Sequence, residues 1–373
     1  MLARVGKSSN EHIQGIDLLR FVAAMLVLLH HFATYAASRP EVVFESAERA
    51  YGFLGIFESI GATGVEIFFV ISGFVISMSA LPLAGGAGAL KFAMGRAIRI
   101  LPALWISGVI SLIALLFAGE AVLPLLDRLV RSAVLSPIGP YIDGVVWSLV
   151  VEAVFYLLIG LAIAFARPLP LLKIAFVLGV ASSLYLAVLL AVTLRGDEQL
   201  VALLSRFPFK VFLMRYGVFF AIGMLLWHVT NQANRPGRLP ALVLFILFAI
   251  VEIVLENWGD AIRATGAVAV WIGAMIFLVA AIRWNNYVKP SATVRMLGDM
   301  SYAIYLNHYT TGMVVVYALH QAGIGGPLSF LLALASVLFI SFLVLHAEKR
   351  IRRFVRPALK NVPRAVGLGV SKG

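Results

Sequence analysis

The 373 residues are 61% hydrophobic and only 13% charged, with a net charge of +12 and no cysteine. A soluble domain needs about 25% charged residues to wet its surface, so a soluble chain is excluded, as are disulfides, thiolate catalysis and cysteine-ligated metal. The mean hydropathy of +0.97 and the recurrence of apolar stretches of about 18 residues or more describe an all-α, polytopic membrane protein.

The apolar pattern gives about ten spans in chain order, near 18–37, 61–80, 101–118, 145–166, 171–194, 211–229, 239–256, 263–282, 300–321 and 327–347. Pro102, Pro168, Pro170, Pro236, Pro240, Pro290 and Gly325-Gly326-Pro327 fall in or beside the breaks, where a missing helix hydrogen bond costs least. Leu18–Tyr35 is long for a signal-peptide core and contains two histidines, so it reads as the first membrane helix. An even number of spans puts both termini on one side. If that side is cytoplasmic, its loops and tails carry twenty Lys and Arg residues against nine outside, and four acids against eleven. The positive-inside rule therefore sets both termini in the cytoplasm, with a basic tail at 348–373 attracted to anionic lipid. Topology thus explains the net charge without nucleic acid. A single domain covers 1–373, and the ten spans show no internal repeat of the kind common in secondary transporters.

Ionisable groups inside membrane spans are costly and usually functional. Seven stand out: Arg20, His30, His31, Glu66, Glu152, Glu252 and His308. From Arg20 to His31 the first span turns through about 1100°, returning within about 20° of the same face some ~16 Å further along. His30 lies about 80° away and reads as structural. Ala23 and Ala24 lie near the Arg20 stripe, where small residues also serve plain helix packing.

In the second span Glu66, Gly73 and Ser77 share a face. Gly73 would let a helix or a substrate approach closely, and Glu66 reads equally as an interfacial or capping acid. Arg96 and Arg99, with Lys91 nearby, precede the third span and face one way if helical. Such paired guanidinium groups suit phosphates, although on spacing alone ordinary positive-inside charge accounts for them. The fourth span opens with Trp147, a candidate for the aromatic belt, and carries a Ser148, Glu152, Tyr156 stripe. Glu152 lies at a depth similar to His31, and an intramembrane carboxylate needs such a partner. In the ninth span Asp299 is placed as an N-cap, with Ser301, Tyr305 and His308 on one face. Glu252 has no polar company in its span and reads as structural.

Taken in order, these motifs resemble the acyltransferase-3 family of membrane acyltransferases. The resemblance rests on Gly15-Ile-Asp17-Leu-Leu-Arg20 followed by His31; Gly64-Val-Glu66-Ile-Phe-Phe-Val-Ile-Ser72-Gly73; and Arg96-x-x-Arg99-Ile-x-Pro102. It continues with Trp147-Ser148-Leu-x-x-Glu152-x-x-Phe-Tyr156 and Leu297-Gly-Asp299-x-Ser-Tyr-Ala-Ile-Tyr305-Leu-x-His308. Five motifs spread over residues 15–308 cover essentially the whole chain.

The resemblance implies transfer of an acyl group, often acetyl, from cytoplasmic acyl-coenzyme A to a hydroxyl of an extracytoplasmic or lipid-linked glycan, by a multi-pass protein of the cytoplasmic membrane. It puts Arg20, His31 and the Arg96/Arg99 motif in the essential set. The chain resembles the stand-alone members, which have no C-terminal hydrolase-like domain, so the glycan is met directly or through a polysaccharide-assembly protein. Arg96, Arg99 and Lys91 are then expected to hold coenzyme A, with the pantetheine arm passing Ala23, Ala24 and Arg20. His31 is the expected general base or transient acyl carrier, with Glu152 orienting it. Asp17, Glu66, Ser72, Gly73, Trp147, Ser148, Tyr156, Tyr305 and His308 are expected to line the substrate path, and no metal is expected. Two alternatives remain open: a secondary transporter with Arg20, His31 and Glu152 as its relay, and a scaffold within an exopolysaccharide machine.

Overall fold

A computed structural model describes residues 12–38, 54–231 and 237–360. Among them there are helices and no strands. In chain order the helices are α1 (Gln14–Ser38), α2 (Phe57–Ile60), α3 (Thr63–Ala80), α4 (Gly85–Phe117), α5 (Val122–Ala133), α6 (Val146–Phe165), α7 (Leu171–Leu194) and α8 (Glu198–Leu204). They continue with α9 (Phe207–Val211), α10 (Gly217–Asn231), α11 (Arg238–Glu256), α12 (Ala261–Arg283), α13 (Ala292–Asn307), α14 (Thr310–Gln321) and α15 (Gly326–Lys360). Eight segments among the described residues are long and apolar enough to cross a membrane. The sixth and ninth expected spans take other forms.

The sixth falls on α10, only 15 residues long, or about 22 Å against a hydrocarbon core of about 30 Å. Every residue from Gly217 to His228 is buried, so protein rather than lipid surrounds it. Its closest neighbour is α3, and glycine makes the approach possible. A Cβ on Gly73 would strike the Phe220 carbonyl, and one on Gly223 would strike the Val70 carbonyl. Gly73 is therefore a packing residue between two helices, and it is absent from the wall of the cavity described below, where its motif implied a lining role.

The ninth span is broken. α13 ends at Asn307 and α14 begins at Thr310. Asp143, in the loop before α6, reaches across to accept the Thr310 N–H at 3.0 Å and the Val145 N–H at 3.0 Å. An aspartate beside the first N–H groups of a helix stabilises a fresh helix start. His308, the C-cap of α13, sits in the break and meets His31 of α1 there. α13 also begins earlier than expected: Ser291, not Asp299, caps it by accepting the Val294 N–H, leaving Asp299 within the helix.

Two other helices outrun their apolar cores. α4 has 33 residues with Pro102 inside it, so Arg96 and Arg99 sit on the helix rather than in a loop before it. Membrane helices tolerate such a proline when neighbours re-satisfy the backbone. α15 carries Lys349, Arg350, Arg352 and Arg353 as a continuation of the helix, so the basic segment starts as helix. Residues 361–373 of the expected tail lie outside the described residues.

The start of α1, the ends of α3 and α12, the start of α13 and the end of α15 gather at one end of the molecule. Contacts between Ser291 N–H and the Gln14 side chain at 3.0 Å, and between Asn285 and the His12 carbonyl at 3.3 Å, tie this end together.

Candidate active site

A cavity of about 760 Å³ runs inward from that end. Its wall includes Asp17 and Arg20 of α1, Ser72 of α3, Lys91, Arg96 and Arg99 of α4, and Ser148, Glu152 and Tyr156 of α6, with Tyr305 of α13. These residues come from five helices spread over nearly 290 residues, and the helix-face arithmetic for α6 is met, since its whole polar stripe faces the cavity. Polar lining groups that the sequence did not single out are His12, Ser79, Tyr302, Glu348, Lys349 and Arg352. Their signal was weak because Lys349 and Arg352 read as ordinary charge of the basic C-terminal segment, and the others carry no isolated intramembrane charge.

The charged groups in the cavity differ in whether they are satisfied. Glu152 accepts hydrogen bonds from Ser72 Oγ at 2.6 Å and from Tyr156 Oη at 2.5 Å. Arg96 donates to Ser79 Oγ at 2.8 Å and lies over the rings of Phe92 and Tyr156. Asp17 bonds His12 at 2.5 Å, and its side chain packs where Gly298 leaves no room for a Cβ. Arg20 and Arg99, in contrast, form no side-chain hydrogen bond or ion pair among the described residues, and both face the cavity. A guanidinium offers five N–H donors and has no acceptor role. Two of them without protein partners make an anion- or carbonyl-binding wall.

Tyr305 and Ser148 line the cavity, and their hydroxyls meet at 2.6 Å. Ser148 Oγ also lies 3.0 Å from the Val145 carbonyl, and Phe68 packs edge-on against the Tyr305 ring. The histidine pair lies past Tyr305, whose ring centroid is 5.7 Å from that of His308. His31 and His308 do not themselves line the cavity.

His31 Nδ1 is 2.9 Å from His308 Nε2 and 3.0 Å from the Val27 carbonyl. His308 Nδ1 faces only carbonyls, Tyr305 at 2.8 Å and Ile304 at 3.2 Å. Only an N–H can donate to a carbonyl, so His308 carries its proton on Nδ1 and its Nε2 accepts. His31 Nδ1 is then the donor, toward His308 and Val27 together, and its Nε2 keeps the lone pair. The bonding pattern assigns both tautomers. His30 donates through Nδ1 to the Glu58 carbonyl at 2.8 Å, which fits its structural reading.

Several expectations change here. The partner of His31 is His308, not Glu152, because Glu152 is engaged by Ser72 and Tyr156. Ala23 and Ala24 are fully buried and lie off the cavity, with the Ala23 carbonyl against Gly64, so they pack helices rather than a substrate arm. Trp147 also lies off the cavity, tilted against the Tyr216 ring with Lys210 over its own. Glu66 is buried away from it as well. Glu252 does have polar company: Arg215, in the turn before α10, bonds it at 2.9 Å and also pairs with Glu256.

A family model described as an acyltransferase domain matches residues 13–346. The exopolysaccharide production protein ExoZ of Rhizobium meliloti (strain 1021) is 27% identical over 307 residues, covering 79% of this chain and 89% of that protein. An O-acetyl transferase of Shigella phage Sf6 is 26% identical over 354 residues, covering 90% of this chain and 94% of that protein. No solved structure matches.

Proposed function

The chain belongs to the acyltransferase family whose domain it matches, and we propose that it is a membrane O-acyltransferase moving acetyl from acetyl-coenzyme A to a glycan hydroxyl. The observation that carries this reading is the cavity with two unpartnered guanidinium groups, whose Tyr305 wall stands beside a histidine pair in which His31 keeps a free Nε2 lone pair. The names of the two relatives support a polysaccharide acceptor.

In this reading the basic end is cytoplasmic, in accord with the positive-inside rule, and both termini lie there. The donor enters at that end with its diphosphate on Arg96, Arg99 and Lys91, and its pantetheine arm runs along Arg20, Ser72 and Glu152. The thioester stops at Tyr305 and Ser148, next to the histidine pair, and the acceptor arrives from the opposite face. As the Tyr305 side chain turns aside, His31 Nε2 takes the proton of the acceptor hydroxyl. The new C–O bond forms at the thioester carbon, the C–S bond breaks, and the sulfur leaves as a thiol by recovering that proton. His308 is a positioning residue: it holds the His31 proton on Nδ1, the role an aspartate plays beside histidine in a triad. Mass spectrometry of surface glycans with and without the gene tests the reading. Loss of an O-acetyl group on deletion supports it, and identical glycans contradict it.

A further inference from the structure

A second cleft, of about 520 Å³, opens beside the cavity mouth and shares Asp299, Lys349 and Arg352 with it. Its other lining residues are Ala292, Arg295, Met296 and Arg353. Four cations therefore surround one carboxylate, and that carboxylate is already paired, with Lys349 at 2.7 Å from Asp299. Arg295 and Arg353 are exposed and form no side-chain hydrogen bond or ion pair among the described residues. The surrounding α13 and α15 are continuous helices at this level, so the two arginines stand on rigid supports.

Coenzyme A carries two separate anionic groups, a diphosphate and a 3′-phosphate on the ribose. The cavity has one cationic cluster, Lys91, Arg96 and Arg99, and the cleft has another at its rim. Arg295 lies ten residues before Tyr305 on the same helix, about 15 Å away, so the cleft is set back from the chemistry by the length of an extended arm.

We infer that this cleft binds the 3′-phosphorylated adenosine end of the donor, with Arg295 and Arg353 on the 3′-phosphate and the flank of Ala292 and Met296 against the purine. The inference rests on the acyl-coenzyme A reading above and adds the site that distinguishes a full nucleotide thioester from a pantetheine thioester. Anionic lipid headgroups present the same phosphate chemistry, and the experiment separates the two sources.

The full chain in phosphatidylcholine nanodiscs is assayed with acetyl-coenzyme A and with acetyl-pantetheine, wild type against an Arg295→Gln/Arg353→Gln variant. Binding of adenosine 3′,5′-bisphosphate is measured on the same samples. Loss of the charged contacts lowers the ratio of kcat/KM for acetyl-coenzyme A over acetyl-pantetheine by about ten-fold, through KM, and weakens bisphosphate binding by about as much. An unchanged ratio with wild-type turnover overturns the cleft and leaves the acyltransferase reading standing. Turnover of neither thioester, with bisphosphate bound by the wild type and lost in the variant, keeps the cleft and overturns acetyl transfer. Failure of the wild type to bind the bisphosphate, or a variant effect seen only after phosphatidylglycerol is added, overturns the cleft as a nucleotide site.

Discussion

Arg20 and Arg215 are both arginines taken out of bulk water, and they have opposite surroundings. Arg215 is 5% exposed and meets two carboxylates, Glu252 and Glu256. Arg20 faces a cavity and meets none at bonding distance among the described residues. A buried ion pair is architecture: each partner covers the desolvation of the other, and removing one leaves an uncompensated charge. An unpartnered guanidinium on a cavity wall is poised for a ligand. Intramembrane charge alone does not separate these roles, and the presence of a protein partner does.

The largest effect should come from breaking the closed region. Arg215→Ala strands Glu252, which is fully buried, and should cost about 3–5 kcal/mol of stability, read as loss of folded protein in a thermal-unfolding or gel-filtration assay. Wild-type stability in that variant would remove the basis for the comparison.

Asp143 is a further buried acid, located in a loop outside the spans, and burial pushes its carboxyl up to about 6. Because the folded state holds the proton more tightly than the unfolded chain, the benefit is complete below the ordinary aspartate range near ~4. It is lost as pH rises toward 6, by on the order of 3 kcal/mol. Unfolding temperature should therefore fall between pH 4 and pH 6 and then level off, and Asp143→Asn should flatten that slope.

The open region should respond in activity instead. Arg20→Ala should leave the unfolding temperature near wild type and lower kcat/KM for acetyl-coenzyme A by about 10- to 100-fold, the value of one or two charge-assisted bonds. Unfolding of that variant would reassign Arg20 to architecture. The smallest change concerns the histidine pair. His308→Leu should lower kcat by about ten-fold because the His31 tautomer is no longer held, and His308→Gln, which keeps an acceptor for His31 Nδ1, should recover part of it. Equal rates for the two variants would show that packing alone is at stake.

Much of this was legible in the sequence, within limits set by what a single helix can reveal. Apolar length located the spans, and period arithmetic put Ser148, Glu152 and Tyr156 on one face, since both depend on local geometry. The same arithmetic cannot say which neighbour occupies that face. The His31–His308 bond joins residues 277 apart, and nothing in the sequence singles out Arg215, inside the expected sixth span, as the partner that α11 brings Glu252 to. The break at His308 depends on Asp143, 167 residues before the Thr310 whose N–H it accepts. Gly73 could serve a helix or a substrate equally well until α10 was seen against it.

The most direct test of the account is acetyl-coenzyme A turnover by His31→Ala in a defined bilayer with glycan acceptor, alongside its unfolding temperature. Transfer should fall by about 10²- to 10⁴-fold, the contribution of a general base, with folding retained. Wild-type transfer by a folded His31→Ala protein would contradict it.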